Sequence, residues 1–162
     1  MTDPIGESNL VIREAVGAAD MDTVRELFLE YQSAIGVDLC FQDFDEELAN
    51  LPGRYVRPMG CLLLATDSDR VAAVIGMGPL DDGVAEMKRL YVRTPWRGTG
   101  LGRILADAVV AAARDAGYRK ICLDTLQFMA EARALYRSMG FVEIPAYYDN
   151  PMDGVIYMEC AL

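Results

Sequence analysis

The stretch "LYVRTPWRGTGLGRIL", residues 90–105, joins a strand-like run to a helix-like run through three glycines within five residues. Backbone amides at the start of a helix have no partner inside it, and the helix dipole adds partial positive charge there. Glycine lets an anion approach such a backbone closely. The stretch therefore predicts either a cradle for a phosphate group or a tight strand-to-helix turn that binds nothing.

Two familiar phosphate-binding patterns do not fit this stretch. A dinucleotide site has the spacing GxGxxG after the first strand of a domain, whereas glycines 98, 100 and 102 have the spacing GxGxG and follow the fourth predicted strand. A P-loop needs GxxxxGK followed by Ser or Thr, and the sequence contains no such string. An anion bound here would have to be recognised in another way.

The amino-acid composition excludes several catalytic mechanisms and kinds of metal site. The 162 residues contain no histidine, which excludes Ser-His-Asp and Cys-His catalysis and histidine-based zinc sites. The four cysteines form no CxxC pair, so we expect them to be reduced and buried, and we expect no metal. Catalysis would have to use carboxylates, tyrosine, cysteine, lysine or the backbone.

The charge of −10 argues against nucleic-acid binding, and all of it is N-terminal. Residues 1–51 hold 12 acidic and 2 basic side chains, whereas residues 52–162 hold 13 of each. We expect a cation near the acidic half, or simply a solvated acidic face. Five bases are expected to cluster around the glycine loop and attract an anion: Lys88, Arg89, Arg93, Arg97 and Arg103.

Hydrophobic spacing predicts the order β-α-α-β-β-β-α-β-α-β-β in a single mixed α/β domain over residues 1–162. The first helix is expected over 20–35, with a capping box at Thr23 and Glu26 and a stop at Gly36. A second helix carries Phe41, Phe44, Leu48 and Leu51. With no apolar leader or membrane-length run, we expect a soluble, cytoplasmic protein that does not bind membranes. The strands are expected over 9–15, 61–66, 70–77, 84–92, 120–126, 141–144 and 154–162, and the last two helices over 101–117 and 129–139.

The region from Glu86 to Phe141 resembles the GNAT superfamily of acyl-CoA-dependent N-acyltransferases. The resemblance is carried by "EMKRLYVRTPWRGTGLGRIL" and "ALYRSMGF". Arg97, Gly100 and Gly102 fill the superfamily pattern of Gln or Arg, two residues, Gly, one residue, then Gly or Ala. The resemblance implies a mixed, mostly antiparallel sheet of about seven strands, with a splay after the fourth strand, flanked by about four helices.

The resemblance also implies acetyl-CoA as co-substrate. The glycine loop would hold its pyrophosphate, and the bulged strand before the loop would pair with its pantetheine arm. The implied cofactor-binding residues are Leu90, Tyr91, Val92, Arg97, Gly98, Thr99, Gly100, Leu101, Gly102 and Arg103.

Two residues are candidates for proton transfer during acyl transfer to an amine. The resemblance places Tyr136 as the acid for the leaving thiolate and Glu86 as a base for the amine. If they have no catalytic role, Tyr136 is expected to be a core tyrosine and Glu86 an edge or salt-bridged carboxylate. Met129 occupies a position where the superfamily often has a cofactor-binding asparagine, and Thr125 or Gln127 are the candidates to replace that contact.

The resemblance implies an acceptor site between the N-terminal helices and the loop near the C-terminus. The acidic run 43–47 and "YYDNP" at 147–151 favour a cationic primary amine of a small molecule or peptide, and a neutral amino acid or small peptide amine is the alternative acceptor. A non-catalytic acyl-CoA sensor is the alternative. The resemblance also favours a homodimer.

Overall fold

The computed structural model describes residues 9–36, 39 and 43–162. Within them, seven strands form one sheet in the order β1-β2-β3-β4-β5-β7-β6, and every neighbouring pair is antiparallel except the parallel pair of β4 and β5. The strands are β1 Leu10–Glu14, β2 Cys61–Asp67, β3 Arg70–Asp81, β4 Val84–Val92, β5 Lys120–Leu126, β6 Val142–Ile144 and β7 Val155–Ala161. The helices are α1 Gly17–Ile35, α2 Phe44–Ala49, α3 Leu101–Asp115 and α4 Ala130–Ser138. The predicted fold class is confirmed.

Helices cover both faces of the sheet, which explains the unbroken apolar runs of β2 and β3. Successive side chains of a strand point to opposite faces. Leu62 and Leu64 therefore pack in the core beneath α1 and α2, whereas Leu63 packs in the core beneath α3. A strand that is buried on both faces loses the polar alternation of a surface strand. Among the described residues, no helix has the length and hydropathy needed to cross a membrane.

The first helix begins earlier than the sequence indicated, at Gly17 instead of residue 20. The predicted capping box is wrong, because Thr23 lies inside the helix and its hydroxyl donates to the carbonyl of Ala19. Asp20 instead accepts a hydrogen bond from the backbone N–H of Val16, 2.9 Å away, at the helix start. Gly36 ends the helix in the left-handed conformation, as predicted.

The second helix is shorter than predicted. Leu51 lies beyond its end at Ala49, and Phe41 lies outside the described residues. The strands and the other two helices agree with the predicted ones to within a few residues.

The sheet splays open after the fourth strand. Residues 84–86 of β4 pair with residues 120–122 of β5, and from there the two strands separate. Residues 87–92 of β4 continue with no described strand on that edge. On the other edge β4 bulges, because Ile75 of β3 faces both Arg89 and Leu90, and Arg89 has a φ of +62°. The separation leaves a wedge between β4 and β5 with unpaired backbone along one side.

Candidate active site

The glycine loop presents unpaired amides to open space. Gly98 and Gly100 have φ values of +75° and +86°, which favour glycine strongly. A Cβ at either position would meet no atom within 4 Å, so the space in front of the loop is free. The helix α3 starts at Leu101, and its first internal bond runs from the N–H of Ile104 to the carbonyl of Gly100. The amides of residues 101–103 are thus available to an anion.

A cavity of about 510 Å³ lies along the free edge of β4, and Arg97, which directly precedes the glycines, is among its lining residues. Its walls come from α1, β4 and the segment that leads into α4. An acyl-CoA fits this arrangement, because its phosphates need the amides and its amide-containing arm needs free backbone groups. The lining residues include Tyr31, Leu90, Tyr91, Val92, Arg97, Phe128 and Met129.

The polar side chains predicted at the loop have local partners. The Nε of Arg97 donates to the carbonyl of Val92 over 2.9 Å, and Arg97 lines the cavity. The hydroxyl of Thr99 donates to the carbonyl of Trp96, so it closes the turn. Arg103 is exposed and donates to the hydroxyl of Ser138 over 2.9 Å.

The expected cluster of five bases around the loop is wrong. Arg93 forms ion pairs with Glu26 and Glu30 of α1, and Arg89 pairs with Glu47 of α2. Lys88 lies against Asp124 of β5. These residues are close to the loop in sequence, but the strand carries them away and their side chains meet carboxylates of other elements. Arg97 and Arg103 remain near the loop.

The candidate acid Tyr136 lies in the wedge between β4 and β5. Its side chain is buried and its ring centroid lies 5.8 Å from that of Phe141. Burial raises the pKa of Tyr136, and the nearby charge of Asp124 adds to the effect. Among the described residues, its hydroxyl has no hydrogen-bond partner. Tyr136 is therefore both a core residue and a protonated donor that faces the wedge.

The candidate base Glu86 is the last residue of β4 that pairs with β5, and its side chain is buried. One of its carboxylate oxygens lies 2.5 Å from the guanidinium of Arg54. The other oxygen accepts a hydrogen bond from the hydroxyl of Tyr147 over 2.6 Å. Burial and the charge of Glu86 raise the pKa of Tyr147, which therefore remains a donor. Glu86 is thus a salt-bridged carboxylate whose two oxygens are both occupied.

Two neighbouring residues in the wedge were not predicted from the sequence. Asp124 lies on β5, two residues beyond the last pair with β4, and accepts a hydrogen bond from the hydroxyl of Tyr148 over 2.5 Å. The Nζ of Lys88 lies 3.5 Å from Asp124 and 4.0 Å from Glu86. An acidic residue inside the apolar run "KICLDTL" was the available signal, since a buried carboxylate needs a specific reason.

A second cavity, of about 490 Å³, lies between α2, β4 and the loop 145–154. The acidic, aromatic wall expected from the sequence is present, but three cations share the lining. Each of them contacts a carboxylate, while Asp43 and Glu46 are exposed and have no ion pair among the described residues. The charged and aromatic lining residues are Asp43, Glu46, Glu47, Arg54, Glu86, Lys88, Arg89, Tyr147 and Tyr148.

The wedge borders both cavities and shares lining residues with each of them. Leu90 and Met129 line both the wedge and the cavity along β4, whereas Lys88 and Arg89 line both the wedge and the cavity beside α2. Thr125 lines the wedge and its hydroxyl lies 3.9 Å from the sulfur of Met129. Gln127 lines a separate depression beside Gly154. A donor and an acceptor entering from opposite sides would meet beside Tyr136.

A family model described as "Acetyltransferase (GNAT) family" matches residues 21–141, which contain the loop, the splayed strands and Tyr136. The chain belongs to the GNAT acetyltransferase family. An uncharacterised N-acetyltransferase of Schizosaccharomyces pombe is 39% identical over 154 residues, 94% of each chain. Human N-acetyltransferase 8 is 33% identical over 101 residues, 59% of this chain and 44% of the human protein.

Solved structures of GNAT proteins share the fold. An acetyltransferase from Streptococcus agalactiae matches with a TM-score of 0.78 at 21% identity, over 94% of this chain and 98% of the other. A putative acetyltransferase from Salmonella typhimurium, solved with its cofactor acetyl-CoA, matches with a TM-score of 0.69 at 21% identity over 95% and 94%. This GNAT protein is an acetyl-CoA-dependent acyltransferase. No group of metal-ligating side chains occurs among its described residues.

Proposed function

We propose that this GNAT protein transfers an acetyl group from acetyl-CoA to the primary amine of a small molecule or peptide by direct attack. The observation that carries the proposal is the wedge, because Tyr136 lines it and it shares lining residues with both the cavity along β4 and the charged cavity. Direct attack is supported by the cysteines, since none of those described lines the wedge or the two cavities that it borders.

The cofactor would be held at two places. The amides of residues 101–103 would bind the pyrophosphate, because they have no partner inside the helix, and the guanidinium of Arg97 would add a charged contact from the cavity beside the loop. The free edge of residues 90–92 would pair with the pantetheine arm. When bound, acetyl-CoA supplies the acyl thioester from which the acetyl group is transferred.

Side chains of the wedge and of the charged cavity would then move two protons. Tyr136 would donate to the leaving thiolate, since its raised pKa keeps it protonated near neutral pH. Glu86 would accept a proton from the acceptor amine indirectly, through the hydroxyl of Tyr147, because its own oxygens are occupied. Asp124 is a second proton acceptor in the same wedge.

The acceptor would be a cationic amine. Each of the three cations that line the charged cavity forms an ion pair with Glu47, Glu86 or Asp124. The exposed carboxylates of Asp43 and Glu46 therefore add negative charge that no cation among the described lining residues neutralises. A second positive charge on the acceptor would lie there, while the reacting amine reaches the wedge.

Binding of acetyl-CoA and of CoA by titration calorimetry tests the first step. Gly100→Trp places a large side chain in front of the loop and should abolish binding. Gly117→Trp is the matched control, because Gly117 has a similar φ of +88° and similarly open surroundings at the other end of α3. Loss of binding in both variants, or in neither, would contradict the proposed cradle.

Release of free thiol across a panel of primary amines tests the second step. Turnover that is greater for diamines and basic peptides than for neutral amines is the expected result. Saturable acetyl-CoA binding with no turnover on any amine would instead identify a sensor. The homodimer and the cytoplasmic location stay predictions, and light scattering after size-exclusion chromatography checks the first of them.

A further inference from the structure

The protein carries a primary amine of its own inside the site. The chain contains two lysines, Lys88 and Lys120, and the side chain of Lys88 is only 11% exposed. Lys88 and Arg89 are the two described residues that line both the wedge and the acceptor cavity. A guanidinium stays protonated at any ordinary pH, whereas a lysine amine becomes a nucleophile once it loses a proton.

The surroundings of Lys88 are those that an acceptor amine requires. Its Nζ lies 3.5 Å from a carboxylate oxygen of Asp124 and 4.0 Å from one of Glu86. It also lies 5.8 Å from the centre of the Tyr148 ring, which helps to hold it in the wedge. An attacking amine needs a proton acceptor within reach and access to the acyl group. Lys88 has two carboxylates beside it, and its side chain shares the wedge with Tyr136.

We propose that the protein acetylates its own Lys88 when no acceptor amine occupies the cavity. The proposal rests on the acetyltransferase function proposed above. The Nζ of Lys88 passes one proton to Asp124, and its electron pair forms a bond to the acyl carbon of acetyl-CoA. The carbon–sulfur bond breaks with its electrons on sulfur, which takes a proton from Tyr136. The nitrogen then gives up a second proton, which restores the hydroxyl of Tyr136, and Asp124 releases the first proton to solvent. One ammonium group and one thioester become one amide, one thiol and one released proton.

Acetylation of Lys88 would be self-limiting and would inhibit the enzyme. The amide is neutral, so the ion pairs of Lys88 with Asp124 and Glu86 are lost. The added acetyl group remains in the wedge, which borders the two cavities. Each chain can therefore react once at this position, and an acceptor amine that fills the cavity would protect Lys88.

Mass spectrometry of the full chain, incubated with acetyl-CoA and no amine, tests this proposal. Lys120 is the matched control, because its side chain is 38% exposed and it also contacts one carboxylate, that of Glu159. Chemical acetylation by acetyl-CoA would favour the more exposed Lys120. Self-acetylation should modify Lys88 faster by on the order of a hundredfold, since Lys88 shares the wedge with Tyr136 whereas Lys120 lies outside it.

Three further measurements sharpen the comparison. The rate per chain at Lys88 should not depend on protein concentration, because the reaction is intramolecular. Tyr136→Phe should slow the modification of Lys88 by at least about tenfold and leave Lys120 unchanged. Lys88→Arg should eliminate it, with the melting temperature and acetyl-CoA binding of the variant confirming that the site is formed.

Equal or faster modification of Lys120 would overturn the proposal, because chemical acetylation would then explain the result. An unmodified Lys88 in a protein that binds acetyl-CoA and acetylates other amines would also overturn it, while the proposed function would stand. Failure to bind acetyl-CoA at all would reject both.

Discussion

The ion pair of Arg89 and Glu47 should be the polar contact on which the acceptor wall depends most. The side chain of Arg89 is 3% exposed and that of Glu47 is 18% exposed, and two nitrogens of Arg89 bond the carboxylate at 3.1 and 3.3 Å. Burial alone would lower the pKa of Arg89, but the charge and hydrogen bonds of Glu47 outweigh it and raise the pKa. The guanidinium also lies 5.0 Å from the ring of Phe44. The pair thus fastens the six-residue helix α2 to the bulge of β4.

Replacing Glu47 with alanine should leave the Arg89 guanidinium buried without a counter-charge. Breaking one partner of a buried ion pair typically costs about 3–5 kcal/mol. Because Glu47 is partly exposed and water can enter once it is removed, we expect the lower end, about 3 kcal/mol. For a domain of this size that corresponds to a melting temperature lower by about 6–12 °C.

Glu46→Ala is the matched control for this experiment. Glu46 precedes Glu47 on α2, is exposed, and forms no ion pair among the described residues. The same change of side chain there should alter the free energy of unfolding by no more than about 0.5 kcal/mol. Urea denaturation followed by circular dichroism measures both variants. Equal stabilities of the two variants would refute the argument, since the buried charge would then carry no penalty.

Further predictions concern catalysis, acid stability and thiol reactivity. Tyr136→Phe should lower kcat by about a hundredfold while the Kd of acetyl-CoA stays unchanged, and an unchanged kcat would exclude Tyr136 as the acid. Arg13 and the Val16 N–H lower the pKa of Asp20 from 3.8 to about 2, so its contribution to stability is present above pH 4 and lost as the pH falls through 2. Asp20→Asn should therefore cost about 1 kcal/mol at pH 7 and only a small part of that at pH 2, as measured by urea denaturation at each pH. Burial raises the pKa of the Cys61 thiol to about 11, so peptide mapping after alkylation at pH 8 should find it unmodified until the protein unfolds.

Much of the fold follows from local patterns. The strand β5 was predicted with both ends correct, because its seven residues form one apolar run between polar neighbours. The start of α1 was missed, because Val16 precedes the helix and offers no capping side chain, and Asp20 of the first turn instead accepts the N–H of Val16. The sequence also did not show which strand residues pack beneath which helix. Alternate residues of the same strands are buried by α1 and α2 on one face and by α3 on the other.

Less of the candidate site than of the fold could be predicted from the sequence. The positions of the glycine loop and Tyr136 follow from short motifs, whose residues lie close together in the chain. The contacts of Glu86 with Arg54 and Tyr147 join residues 32 and 61 positions apart. Hydrophobic periodicity does not predict contacts between side chains that lie so far apart in the chain.

The sequence by itself determined the order of the strands and helices, the glycine-rich turn, the absence of histidine chemistry and the family resemblance, because each depends on neighbouring residues or on composition. The tertiary structure alone decided which charges are paired. It buried Glu86 behind two partners and brought Lys88 to Asp124, 36 positions away in the chain. It also directed Arg89 and Arg93 away from the glycine loop toward the acidic helices. The physical reason is that an ion pair depends on distance and burial, and both arise only when the strands and helices have packed.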